Sequence, residues 1–128
     1  MSKKITVLVI GCGNMGASHA TAYHNHPSFN ICGLVSRGKS KDELNDSLKS
    51  NYTLFTDYKQ AIINTKPDAV CISTYPDTHK EISLFALENN CHIFLEKPIA
   101  DDLKGSREII NKAVENGKKL VVGYILRH

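Results

Sequence analysis

Residues 11–16 read Gly11-Cys12-Gly13-Asn14-Met15-Gly16. Three glycines at this spacing suit a loop that turns a strand into a helix around a pyrophosphate. Gly11 allows the tight turn, Gly13 lets the phosphate approach bare backbone, and Gly16 lets the helix lie close to the strand. The first amides of a helix have no partner within it, and the helix dipole is positive there, so an anion is stabilised. Glycine clusters also occur in ordinary turns. Here an apolar run, Ile5 to Ile10, enters the loop and a helical pattern leaves it, which favours dinucleotide binding. Cys12, Asn14 and Met15 complete the loop. Cys12 is either a tolerated small residue or a thiol activated by the helix N-terminus. No partner base is visible, which favours the former.

A dinucleotide fold places an acidic residue about twenty positions on, where it accepts hydrogen bonds from the adenosine ribose. The second apolar run instead ends Val35-Ser36-Arg37-Gly38-Lys39, and no carboxylate follows until Asp42. A 2′-phosphate on that ribose would be repelled by a carboxylate. It would accept a hydrogen bond from Ser36 and pair with Arg37, and Lys39 or Lys41 could add charge. The expected cofactor is therefore NADP in preference to NAD.

Short apolar runs alternate with helical patterns, the sign of βαβ units and a parallel sheet. Strands are expected at Ile5–Ile10, Phe29–Val35, Tyr52–Phe55, Ala69–Ser73, His92–Leu95 and from Leu120 to Gly123 or Ile125. Helices are expected from Asn14 to about His26, from Ser40 to Ser50, from Asp57 as cap to about Asn64, from Asp77 or Thr78 to about Asn90, and from Leu103 to Asn116. Ile82, Phe85 and Ala86 should face inward on the fourth helix, and Ile109, Ile110, Ala113 and Val114 on the fifth. Gly117 should stop the last helix. Six strands with crossover helices give a doubly wound α/β sheet of Rossmann type, in the order 3-2-1-4-5-6.

The chain has 128 residues, 41 % hydrophobic and 23 % charged, which suits one ordinary globular domain. Its formal charge of +3 is spread along the chain without a basic run, which argues against nucleic acid as a partner. No pair of the four cysteines has metal-ligand spacing, so no metal site is expected. Cys32, Cys71 and Cys91 read as small buried hydrophobes, which fits a reducing compartment. Ile5–Ile10 is too short to span a membrane, and no small-residue cleavage site follows it. The expectation is a cytoplasmic protein.

Several stretches together resemble the Gfo/Idh/MocA oxidoreductases, the family of glucose–fructose oxidoreductase and inositol dehydrogenase. They are the glycine loop with His19-Ala20 and Pro27, then Phe55-Thr56-Asp57-Tyr58, Pro67-Asp68-Ala69-Val70, Ser73-Thr74-Tyr75-Pro76-Asp77-Thr78-His79, Glu96-Lys97-Pro98, and Val122-Gly123-Tyr124 with Arg127. Glu96-Lys97-Pro98 is the most specific of these. The resemblance implies that Lys97 lies by the nicotinamide and substrate, orients both and stabilises the reacting oxygen. It implies that Glu96 contacts the nicotinamide ribose and that Pro98 fixes the loop through a cis bond. Thr74, Tyr75, Pro76 and His79 would line the nicotinamide side, with Tyr75 standing where the family usually has proline. His79 has an equally good reading as a helix-start histidine packed against the sheet, and Lys97 one as a surface lysine before a turn.

The residues themselves point the same way in outline. Ligands of doubly wound sheets bind outside the carboxyl ends of the strands, and Gly11, Ser36, Thr74 and Lys97 all follow strands. A cation there can stabilise developing negative charge on an oxygen.

Family members carry a second α/β domain that completes the substrate pocket and through which copies often associate. This sequence is expected to hold the nucleotide domain, residues 1–123, and the start of the connection, 124–128, without that second domain. No role is expected for His128. The leading expectation is the NADP-binding half of an oxidoreductase that moves a hydride between the cofactor and a sugar, cyclitol or related polyol. The alternative is a free-standing nucleotide-binding or sensing module without catalysis. A reductase of the biliverdin or dihydrodipicolinate type fits Glu96-Lys97-Pro98 less well.

Overall fold

A computed structural model describes residues 4–123. Strand β1 (Ile5–Ile10) leads through helix α1 (Asn14–Asn25) to β2 (Phe29–Val35), and α2 (Ser40–Ser47) leads to the short β3 (Leu54–Phe55). Helix α3 (Tyr58–Thr65) then brings the chain back to β4 (Ala69–Ile72). From there α4 (Pro76–Glu88), β5 (His92–Glu96), α5 (Leu103–Glu115) and β6 (Leu120–Gly123) follow in turn. The six strands form one sheet in the order β3-β2-β1-β4-β5-β6, and every pairing is parallel.

The sheet grows outward from β1 in both directions, so β1 and β4 lie side by side where the winding reverses. That reversal opens a crevice at the carboxyl ends of the strands, where doubly wound sheets bind ligands. Side chains alternate across the strands. Val7 and Val9 join Ala20 of α1 and Leu44 of α2 in one core. Leu8 and Ile10 join Ala61 and Ile62 of α3, Ile82, Ala86 and Leu87 of α4, and Ile109 of α5 in the other. β1 is therefore apolar at both faces because both are covered. At its opposite end, Asp68 accepts hydrogen bonds from the Thr6 amide (3.0 Å) and hydroxyl (3.1 Å), which fixes β4 beside β1.

Element boundaries differ from the sequence expectation where local side chains intervene. α2 stops at Ser47, and Lys49 turns left-handed (φ 53°). The Asn45 carboxamide oxygen then accepts from the Ser50 hydroxyl and the Tyr52 amide, at 2.5 and 3.1 Å. That turn shortens β3 to the two residues paired with Leu34 and Val35. α4 starts at Pro76, ahead of the expected Asp77 or Thr78. A proline at the first helical position loses nothing, since its missing N–H would have had no partner in the helix. Ile110 and Val114 are 41 % and 76 % exposed, not inward as expected. The buried stripe of α5 is Gly105-Ile109-Ala113, spaced by four, and the other two lie about 100° further round the helix. Phe85 is half-buried and meets the Tyr58 ring edge-on, with centroids 5.9 Å apart.

Among the described residues, no helix is long and apolar enough to cross a membrane, and no cluster of His, Cys, Asp or Glu could hold a metal ion. Tyr124, Arg127 and His128 lie outside the described residues.

Candidate dinucleotide-binding site

The glycine loop follows β1 and opens α1. Gly11 has φ +95°, a conformation that L side chains rarely adopt, and a Cβ on it would lie 2.6 Å from the Ser73 carbonyl oxygen. A Cβ on Gly16 would lie 1.8 Å from the Gly11 carbonyl oxygen. Gly13 is different, because a Cβ there would meet nothing within 4 Å. The first and third glycines thus close the loop against the protein, and the middle one faces open space. Gly13 caps α1 without a side-chain hydrogen bond, and no acidic residue stands in the first turn. The amides of Asn14 and Met15 are left for an anion, and the bare backbone at Gly13 gives it room. The loop fits the pyrophosphate of a dinucleotide.

Cys12 is buried, and its thiol donates to the Val35 carbonyl at 3.4 Å. Burial pushes its pKa up to about 11, although the Val35 hydrogen bond and the Lys41 charge work the other way. Cys12 is a core residue of the loop and not an activated nucleophile.

Beyond β2, the Ser36 hydroxyl donates to the Gly38 carbonyl (3.0 Å) and accepts from the Lys41 amide (3.1 Å). The expected free donor is thus engaged in shaping its own loop. Lys41 folds back over the same turn and donates its ammonium to the Gly38 carbonyl at 2.6 Å. Arg37 is exposed.

The segment after β4 forms a wall. Thr74 and Thr78 share a hydroxyl–hydroxyl hydrogen bond of 2.6 Å, and the Thr78 hydroxyl also donates to the Tyr75 carbonyl. Tyr75, the N-cap of α4, is 81 % exposed, and Pro76 follows it. His79 does not line this wall as the resemblance implied. It is fully buried, with Nε2 2.9 Å from the Thr74 carbonyl and Nδ1 2.9 Å from the Pro98 carbonyl. It stands one helical turn inside the start of α4, so its side chain points back toward the sheet. His79 ties the loop after β4 to the loop after β5 from behind, in agreement with its reading as a packed helix-start histidine.

Lys97 and Pro98 are exposed just past β5, joined by a cis peptide bond. The Lys97 ammonium has no ion-pair partner among the described residues. Glu96 is nearly buried, and its Oε2 accepts from His19 Nε2 of α1 at 2.7 Å. A carboxylate only accepts, so this nitrogen carries the proton. The His19 ring also meets Phe94 edge-on, at 5.0 Å between centroids. Sequence reasoning noted His19 only as part of the glycine-loop stretch. A histidine in the first turns of the helix after the glycine loop carries no signal of its partner, 77 positions away.

These contacts bring the expected residues together. Gly11 packs on Ser73 and Thr74, His79 joins Thr74 to Pro98, and His19 joins the glycine-loop helix to Glu96. A six-stranded doubly wound sheet with a bare phosphate loop at its switch point defines a dinucleotide-binding domain. The Gfo/Idh/MocA family model, an oxidoreductase family with an NAD-binding Rossmann fold, matches residues 5–124, and the chain belongs to that family.

The chain is 31 % identical over 132 residues to inositol 2-dehydrogenase of Rubrobacter xylanophilus, covering 99 % of this chain and 37 % of that protein. It is 27 % identical over 128 residues to D-glucoside 3-dehydrogenase of Escherichia coli, covering 99 % of this chain and 36 % of that protein. Its fold is that of the scyllo-inositol dehydrogenase of Lactobacillus casei, solved with bound NAD(H) and scyllo-inositol. The TM-score is 0.86 at 23 % identity, over 94 % of this chain and 36 % of that one. The chain thus spans little more than a third of the length of these relatives.

Proposed function

We propose that the full-length protein is a dehydrogenase that moves a hydride between a nicotinamide dinucleotide and a carbinol carbon of a sugar, cyclitol or related polyol. The observation that carries this reading is the convergence, at one crevice, of the bare Gly13 loop and the exposed Lys97 beyond β5. When bound, the nicotinamide supplies the hydride acceptor or donor.

The residues of this chain would bind and orient. The amides of Asn14 and Met15 and the backbone at Gly13 hold the pyrophosphate. Thr74, Tyr75 and Pro76 form the wall on the nicotinamide side, and Glu96 accepts from the nicotinamide ribose. The Lys97 ammonium stabilises negative charge that develops on the substrate oxygen. The relatives named as inositol and glucoside dehydrogenases support the polyol class.

NADP is the preferred cofactor in this reading. No carboxylate stands between Val35 and Asp42, and Arg37 is exposed beside Ser36. A charge-assisted hydrogen bond contributes about 1.5–3 kcal/mol, about a ten- to hundredfold preference. Exposed charges are screened by salt, so the preference shrinks as salt rises.

One experiment tests the whole reading. A panel of polyols and sugars is offered to the full-length protein with NADP or NAD, following reduced-cofactor absorbance, for wild type and Lys97→Met. Wild type is expected to turn over at least one polyol, faster with NADP at subsaturating cofactor. Loss of the Lys97 charge is expected to cost about 3–4 kcal/mol in kcat, with little change in cofactor affinity. Full activity of Lys97→Met would show Lys97 to be a surface lysine, and equal use of NAD at low salt would remove the NADP preference.

A further inference from the structure

We propose that His19 is a positioning residue for Glu96: it holds one carboxylate oxygen so that the other is presented to the vicinal hydroxyls of a ribose on the nicotinamide side. This rests on the reading above, in which Glu96 meets that ribose. The two oxygens of Glu96 are in different situations. Oε2 accepts from His19 at 2.7 Å. Oε1 has no hydrogen-bonding partner among the described residues, yet it is not among the buried atoms that lack one. It is therefore the oxygen that reaches solvent and is free to accept.

The pocket around the pair is built to hold it. Phe94 lies on the same face of β5, two residues before Glu96, and its ring meets the His19 ring edge-on. Gly123 of β6 pairs with Glu96. A Cβ on Gly123 would lie 3.0 Å from the Phe94 ring and 3.5 Å from Glu96 Oε2, so a side chain there would crowd both. A glutamate without such a partner would sample several rotamers, and a ligand would have to order them on binding. His19 orders the carboxylate beforehand. Because His19 belongs to α1, the helix whose first amides take the pyrophosphate, one rigid element would set both the phosphate end and the ribose end of the ligand.

The test measures calorimetric affinities of the purified protein for NADP, NAD, ADP-ribose and ADP. ADP-ribose carries the pyrophosphate and the second ribose, and ADP lacks that ribose. The variants are His19→Phe, which keeps an aromatic ring without a donor, His19→Gln, which keeps an N–H, and Glu96→Gln, alone and with His19→Phe. His19→Phe is expected to weaken ADP-ribose and both dinucleotides about tenfold and to leave ADP unchanged. His19→Gln should recover most of the loss, and the double variant should be little weaker than Glu96→Gln alone. Unchanged ADP-ribose affinity in His19→Phe would overturn the proposal, as would an equal loss for ADP, which reports general damage to the loop. If His19→Phe does not fold, additivity of His19→Gln and Glu96→Gln serves as the overturning result. A wild-type protein that binds none of the four ligands would instead defeat the dinucleotide-site reading itself.

Discussion

A methyl group at Gly16 would lie 1.8 Å from the Gly11 carbonyl oxygen, whereas one at Gly13 would meet nothing. The two glycines therefore separate folding from binding. Gly16→Ala forces backbone apart, and overpacking of this kind costs at least about 1–3 kcal/mol. Gly13→Val leaves the fold intact, because its side chain enters space that only a ligand would use, and it is expected to weaken dinucleotide binding more than about tenfold, or ~1.4 kcal/mol. Thermal melts with calorimetry on both variants check this. A destabilised Gly13→Val with normal affinity would reverse the assignment. The glycine spacing was legible in the sequence because each glycine answers a local need. His79 and His19 were not, because their partners, Thr74, Pro98 and Glu96, are set by tertiary packing. A histidine at a helix start looks the same in sequence whether it faces a ligand or two carbonyls.

Among the elements, the helix starts show how much depends on single side chains. Asp57 accepts from the Lys59 amide at 3.0 Å and Asp102 from the Gly105 amide at 2.6 Å. Removing such a cap costs about 1 kcal/mol. Asp102→Ala is therefore expected to lower the melting temperature by about 4 °C, without changing dinucleotide affinity, since α5 is remote from the glycine loop in the sheet order. A differential scan with and without NAD checks both parts, and an unchanged Tm would show the cap to be idle. The cap of α3 was readable from Asp57. The inward face of α5 was misjudged because Ile109-Ile110 and Ala113-Val114 are adjacent apolar pairs, and hydrophobicity alone cannot say which member faces the sheet. Gly105, which allows close approach beside Ala100 and Asp102, is the residue that marks the stripe.

At the scale of the whole molecule, the strand order ranks the elements by how many neighbours hold them. Among the described residues, β1 is paired on both sides, to β2 and β4, while β6 is paired only to β5 and β3 only to β2. In a parallel edge strand, half of the backbone amides point away from the one neighbour and find water. Deuterium from solvent should therefore enter the sheet unevenly. Amides of Val7–Ile10 and Val70–Ile72 should exchange slowest, at the rate of global opening. Those around Leu54, and the outward half of Leu120–Gly123, should exchange within the earliest time points. Exchange read by mass spectrometry or NMR gives this profile directly. Protection of β6 as deep as that of β1 would mean that the edge left unpaired among the described residues is covered in solution, and labelling would then detect that cover before any crystal shows it.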